Sequence, residues 1–228
     1  MPFVVIEGLD GAGKSTQINL LQDWLGKKRI AYKYLHFPRT DSHFFGEMIA
    51  RFLRGEFGNI SKVDPYIVAL LYAGDRMDAA SIIKTWIKSG NLVLVDRYVF
   101  SNIAFQCAKL LNPDERKLLR KWILKLEYEY YNIPKPDINL FLNVPFKFTA
   151  QRLSSTREGS ERDYLNGKQD IHEANLEFQN KVREVYLQEI DSDENIEMIN
   201  CYKSDNKILT PEKIFEKILA TLKTHNIL

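Results

Sequence analysis

Two short segments of this chain hold residues suited to handling phosphate. The first, Gly8-Leu9-Asp10-Gly11-Ala12-Gly13-Lys14-Ser15, has the spacing G-x-x-x-x-G-K-S and lies between an apolar run, Phe3-Val4-Val5-Ile6, and a helical pattern. Glycine adopts positive φ without strain, so successive backbone N–H groups can point at phosphate oxygens, while Lys14 reaches the transferable phosphate and Ser15 ligates magnesium. The positive end of the following helix adds to the same field. The segment predicts a nucleoside triphosphate bound with magnesium. A glycine-rich turn without a ligand is the plainer reading, and the strand before it and helix after it count against that.

The second segment, Asp96-Arg97-Tyr98, directly follows the apolar run Leu92-Val93-Leu94-Val95, so its side chains should emerge at the ligand-binding edge of a sheet. Asp96 can hold a magnesium shell, directly or through water, and Arg97 can grip a second phosphate with its planar fork. A mutual surface ion pair is the alternative, and it suits residues after a buried strand less well.

Bringing the two segments together requires a sheet, and the chain reads as one. Strands are predicted at Phe3–Ile6, Ala31–Phe37, Leu92–Val95, Ile138–Leu142 and Ile196–Asn200, and helical spacing fills the intervals between them. Helices are expected from the phosphate loop to Gly26, then over 44–53, 66–88, 101–111, 113–131, 145–153 and 171–190. Strands alternating with helices favour an α/β fold: a parallel five-stranded sheet with right-handed crossovers and helices on both faces. The near-continuous apolar strands suit burial on both faces. The polar stretch Ser154 to Gln169, with Arg157, Arg162, Gly159 and Gly167, has few apolar anchors and is expected to be either a solvated loop or a mobile lid.

Composition narrows the field further. The 228 residues suit one domain, here 1–228 with the lid at about 154–170, and 45% hydrophobic with 27% charged residues is ordinary for a soluble protein. A net charge of +2, with basic and acidic residues interspersed, offers nothing to nucleic acid or an anionic membrane beyond local patches. Lys117, Arg120, Lys121 and Lys125 do stripe one predicted helix, but acidic neighbours make that stripe a solvated face. Cys107 and Cys201, both beside apolar residues, read as core thiols rather than a disulfide or metal pair. Without a secretory signature or a long apolar run, the expected location is cytoplasmic.

In order along the chain stand GLDGAGKST at 8–16, FPR at 37–39, DR at 75–76, DRYVFSN at 96–102 and PKPD at 134–137. With this set the whole chain resembles a thymidylate kinase. The resemblance implies transfer of the terminal phosphoryl group of ATP to dTMP, a magnesium requirement, the phosphate-loop NTPase fold and a homodimer, with no nucleic-acid or membrane partner. It implies that Gly8 to Thr16 bind ATP, and that Asp10 approaches the acceptor sugar or the metal. It places Phe37 on the thymine ring, Arg76 on the base, Arg97 and Arg39 on the acceptor phosphate, and Ser101 and Asn102 at the pyrimidine edge. Ser101-Asn102 could instead cap a helix. Tyr72, one turn before Arg76, lines the acceptor pocket on this reading. Phe105 and Gln106 form its sugar wall, with phenylalanine where relatives can carry tyrosine.

The acceptor is an ionised phosphate oxygen, so catalysis is a matter of positioning and positive charge rather than of a base. Some thymidylate kinases carry an arginine within the phosphate loop; this chain has Gly11 there. The lid must then supply it, from Arg157 first, or Arg152 or Arg162. Glu173 resembles an acidic residue near the metal, although Asp170 and Glu173 together could equally form a helix-capping box. Two other readings stay open: a deoxynucleoside kinase, which needs a general base near the sugar hydroxyl, and a nucleotide-dependent switch, against which stands the lack of an N-K-x-D element.

Overall fold

The computed structural model describes residues 1–60, 62–154, 160–168, 170–173, 175–193, 195–203 and 207–228, with backbone alone at 154 and 160–162. Five strands, β1 (Phe3–Glu7), β2 (Tyr32–His36), β3 (Leu92–Asp96), β4 (Ile138–Asn143) and β5 (Ile196–Asn200), form one all-parallel sheet in the order β2-β3-β1-β4-β5. Every residue of β1, β3 and β4 is buried, which in a sheet requires cover on both faces and accounts for their near-continuous apolar runs. The edge strands are less covered: no residue of β2 is fully buried, and β5 buries only Ile196 and Ile199.

The helices are α1 (Lys14–Lys27), α2 (Phe45–Leu53), α3 (Pro65–Lys88), α4 (Val99–Cys107), α5 (Pro113–Leu124), α6 (Phe146–Ser154), α7 (Leu176–Ser192) and α8 (Pro211–Thr224). A π-helical turn at Lys125–Tyr130 extends α5, and a 3-10 turn occupies Ser160–Leu165. Three departures from the sequence reading have physical causes. First, α4 starts two residues early because the buried Glu7 carboxylate accepts from the N–H groups of Tyr98 and Ser101 (2.9 and 3.2 Å), capping the helix from β1. Second, α7 starts at Leu176 rather than Ile171 because Asn175 is its cap, accepting from Phe178 N–H. The Asp170 carboxylate instead binds the His172 N–H at 2.7 Å within a turn, so the capping-box reading of Asp170 and Glu173 does not hold for α7. Third, α8 is an additional element, capped by Thr210 and tied to α1 where Gln17 donates to Pro211 O at 3.0 Å.

The sheet order positions the site. β1 sends its first crossover to β2 on one side, and β3 then returns between them; the register pairs Ile6 with Asp96. The loops after β1 and β3 therefore leave the sheet side by side, at the switch point where open α/β sheets bind ligands.

Close packing fixes α3, which carries the site residues Tyr72 and Arg76. A Cβ at Gly74 would run into the Phe45 ring of α2. Gly74→Ala is accordingly expected to destabilise the protein by about 1–3 kcal/mol despite the better helix propensity of alanine, measured by urea denaturation.

Lys109 gives a second stability prediction. Its Nζ is buried without a hydrogen-bond partner among the described residues, 4.8 Å from the centre of the Phe52 ring. Burial pushes its pKa down from 10.5 to about 7. Between those values the unfolded chain holds a proton that the folded chain does not, so stability rises with pH from about 7 to 10.5, and that gain is lost as pH falls from 10.5 to about 7. Lys109→Met should remove that slope and raise stability near neutral pH by on the order of 3 kcal/mol, read from denaturation curves at pH 7 and 10.

Candidate active site

The phosphate loop and the segment after β3 open onto a cleft of about 1370 Å³ lined by both, by the end of β2, by α3 and α4, and by the lid-side residues Arg152, Asp163, Tyr164, Asp170, His172 and Glu173. In the loop, Gly11 and Gly13 have φ of 77° and 86°, a backbone that L side chains rarely adopt. Asp10, Gly11, Gly13, Lys14, Ser15 and Thr16 line the cleft. Gly8, Leu9 and Ala12, expected among the ATP-binding residues, stand behind it instead. Leu9 and Ala12 are buried in the core, and Gly8 packs close to Ala12 and Leu142. Their side chains shape the loop from the core side. Lys14 Nζ donates to Leu9 O at 3.2 Å, while Ser15 and Thr16 are exposed at the start of α1.

Arg97 is the hub of the site. Its backbone has φ of 65°, a strained conformation for a side chain of this size, held by its N–H on Ile6 O at 3.0 Å. Its Nη2 meets Asp10 Oδ1 at 2.6 Å, its Nη1 donates to Ser101 Oγ at 3.1 Å, and the guanidinium lies 5.1 Å over the Phe105 ring. Burial would raise the Asp10 pKa, but Arg97, Lys14 and a hydrogen bond from Gln179 outweigh it and hold the carboxylate well below its ordinary range. Asp10 is thus a fixed anion orienting a fixed cation.

Ser101 does not offer its hydroxyl to a base edge. That group is taken up by Glu7 Oε2 and the Tyr186 hydroxyl at 2.5 and 2.7 Å, besides Arg97, so Ser101 supports the hub. Glu7, fully buried, and Gln179, which donates to Asp10 Oδ2 at 3.0 Å and to His172 O at 3.1 Å, are supports that sequence reasoning missed. The one signal available was that Gln179 and Tyr186 stand two turns apart, on one face of a helix.

Asp96 keeps Oδ2 3.3 Å from His36 Nδ1, while its Oδ1 is buried without a partner at the cleft wall. Burial opposes its ionisation, but Lys14, His36 and Arg97 prevail and lower the pKa. Among the described residues no cluster of three or more His, Cys, Asp or Glu could hold a metal alone. That fits magnesium, which takes one or two protein groups and completes its shell with phosphate and water. Asp96 and Ser15 suit this, and Glu173 lines the same cleft half-buried.

The side of the cleft expected to take the acceptor is lined by residues of α3 and α4. Arg76 is buried and paired bidentately with Glu127 at 2.5 and 2.7 Å. Asn102 Nδ2 donates to Ala69 O and Glu127 Oε1, both at 3.0 Å. Arg39 is drawn to α3, its Nε on Asp75 at 2.9 Å and its Nη2 on Asp78 at 2.6 Å, so Nη1 is what remains for an acceptor phosphate. Phe37 is only 1% exposed and packs on Tyr98; half-buried Tyr72 offers the cleft more ring surface. Phe105 packs against His172 at 5.0 Å, and Gln106 is buried beside it with Oε1 unpartnered.

On the lid side, Arg152 lies 5.0 Å over Phe148, and its Nη1 would be 4.0 Å from a Cβ at Gly13, directly above the phosphate loop. Arg157 lies outside the described residues, as does the Arg162 side chain. Asp170 accepts from the Tyr164 hydroxyl at 2.8 Å, and burial, with Asp10 nearby, pushes it up to about 7. In the stripe that could have served nucleic acid, Arg120 instead pairs with Glu189 at 2.7 Å.

A model of the thymidylate kinase family matches residues 6–210. A probable thymidylate kinase of Thermococcus kodakarensis is 32% identical over 227 residues, 97% of either chain. The thymidylate kinase of Mycobacterium tuberculosis is 30% identical over 186 residues, 82% of this chain and 84% of its own. The solved thymidylate kinase of Candida albicans shares the fold, with a TM-score of 0.74 at 22% identity over 99% of this chain and 92% of that one. A family match across most of the sequence, on a phosphate loop and acceptor cleft assembled at the sheet's switch point, establishes that the chain belongs to the thymidylate kinase family.

Proposed function

We propose that this cleft is where the chain carries out the ATP-dependent phosphorylation of dTMP to dTDP, with ATP on the phosphate loop and dTMP between Tyr72, Phe37, Arg76 and Asn102. The observation that carries this assignment is the Asp10–Arg97–Ser101 hub, which sets a buried, oriented guanidinium between the two nucleotide sites. Lys14, Ser15 and Thr16 take the triphosphate of ATP, and Arg97 with Arg39 the acceptor phosphate. Magnesium belongs to Ser15 and Asp96, with Glu173 beside them, and when bound it neutralises phosphate charge. Arg152 reaches over the loop to the phosphoryl group in transfer. Phe105 and Gln106 wall the sugar, and lid closure excludes water.

A deoxynucleoside kinase would need a free base at the sugar. Glu7, the carboxylate preceding the loop, is fully buried and accepts from two backbone N–H groups and two hydroxyls, so it is not available. The deciding measurement is ADP release from ATP and magnesium with dTMP, dUMP, dCMP, dGMP, UMP and thymidine offered separately, with Lys14→Ala as control. Selective turnover of dTMP that the control loses supports the assignment; turnover of thymidine alone overturns it.

The homodimer belongs to the same reading. Ile67, Leu70 and Met77 of α3 are exposed, at 58%, 41% and 38%, on the face turned from the core, a spacing suited to pairing with a second copy. Sedimentation equilibrium should give twice the chain mass, and Leu70→Asp should shift the equilibrium to monomer.

A further inference from the structure

Glu127 contributes nothing to the cleft surface, yet it touches both groups assigned to the base. It is fully buried on the π-helical turn after α5, accepts two hydrogen bonds from Arg76, through Nε and Nη2, and shares Oε1 with Asn102 Nδ2. The other neighbour of Asn102 Nδ2 is the Ala69 carbonyl. A carboxylate and a carbonyl can only accept. Were the Asn102 amide turned over, its oxygen would face two acceptors, so chemistry fixes which end is nitrogen. The remaining end, Oδ1, is a buried acceptor without a partner among the described residues, on a residue that lines the cleft.

We propose that Glu127 is a positioning residue for base selection: by holding the Asn102 amide in one orientation, and Arg76 by two of its nitrogens, it presents an acceptor beside a donor to the base edge. This rests on the dTMP site described above. A thymine imide has the complementary pattern, a donor at N3–H beside an acceptor at O4. Cytosine has the reverse, an acceptor at N3 beside an amino donor, and would set acceptor against acceptor and donor against donor. The selection concerns imide against amidine, so dUMP shares the benefit whatever the 5-methyl group adds.

The test is Glu127→Gln, whose amide carries a donor and lets Asn102 turn. Steady-state kinetics on dTMP, dUMP and dCMP at saturating ATP and magnesium should show KM for dTMP and dUMP rising together about tenfold, with kcat for dTMP nearly unchanged. The ratio of kcat/KM for dCMP to that for dTMP should rise by about ten- to a hundredfold. Glu127→Asp keeps an acceptor-only carboxylate and should retain the wild-type preference. A wild-type base preference in Glu127→Gln, whatever its melting temperature, overturns the inference while leaving the kinase assignment intact; a wild-type enzyme inactive on dTMP overturns the assignment instead. A readout that needs no variant is the Asn102 side-chain amide by NMR in the wild-type protein. Two slowly exchanging Nδ2 protons with and without dTMP are expected, and fast exchange or reorientation on binding counts against the proposal.

Discussion

Arg152→Ala is expected to lower kcat by about a thousandfold while leaving KM for dTMP within about twofold. The two substrates bring polyanions together, and the transferring phosphoryl group spreads charge over its equatorial oxygens, so the barrier responds to positive charge placed at that point. The phosphate loop has Gly11 where a side chain could have supplied it, and Lys14 is a single point charge. Among the described residues, Arg152 is the lid-side arginine that lines the cleft, with its Nη1 close to Gly13. Its guanidinium lies over the Phe148 ring beside the loop, which holds the planar fork on the side of the cleft where the phosphoryl group passes. Because the interaction grows only as the phosphoryl group moves, acceptor binding should hardly change. Arg152→Lys should recover only a small part of the loss, since an ammonium cannot span two oxygens. Single-turnover measurement of the chemical step decides the matter: a rate within about threefold of wild type would hand the role to another lid arginine.

The parts of this site legible in the sequence were those written in local spacing. Gly8 to Ser15 and Asp96-Arg97 each sit at the end of a strand with an unbroken apolar run, so both their placement and their neighbourhood follow from one sheet. The supports were not legible, because each is a contact across the chain. Glu7 meets Ser101, and Asp10 meets Gln179, over separations of 94 and 169 residues. Glu127 reaches Arg76 from a π-helical turn inside what reads as an uninterrupted helix. For the same reason Ser101 was read as facing the base: its position in the motif is right, but the buried Glu7 carboxylate attracts its hydroxyl more strongly than an open cleft can. The start of α4 shifted for the identical cause, since a cap supplied by β1 leaves no mark beside the helix it caps.

Arg97→Gly should separate the stability of the hub from its chemistry. Arg97 sits at φ of 65°, which costs a residue with a side chain about 1–2 kcal/mol relative to glycine, and a fold keeps such strain where the geometry serves a site. The strain aims the guanidinium between Asp10 and Ser101, where both nucleotide phosphates can meet it. Removing the side chain should lower kcat/KM for dTMP by about a thousandfold or more, because the acceptor phosphate loses its fork and Asp10 loses the cation paired with it. Arg97→Ala should lose as much activity but keep the strained backbone, so in thermal and urea denaturation the glycine variant should be more stable than the alanine variant by about 1 kcal/mol. The sign is the informative part. Elsewhere in a folded chain glycine is normally the less stable of the two, so a glycine variant less stable than alanine would mean that the backbone at Arg97 relaxes once the guanidinium is gone, and that the hub is held by its ion pair rather than by the turn.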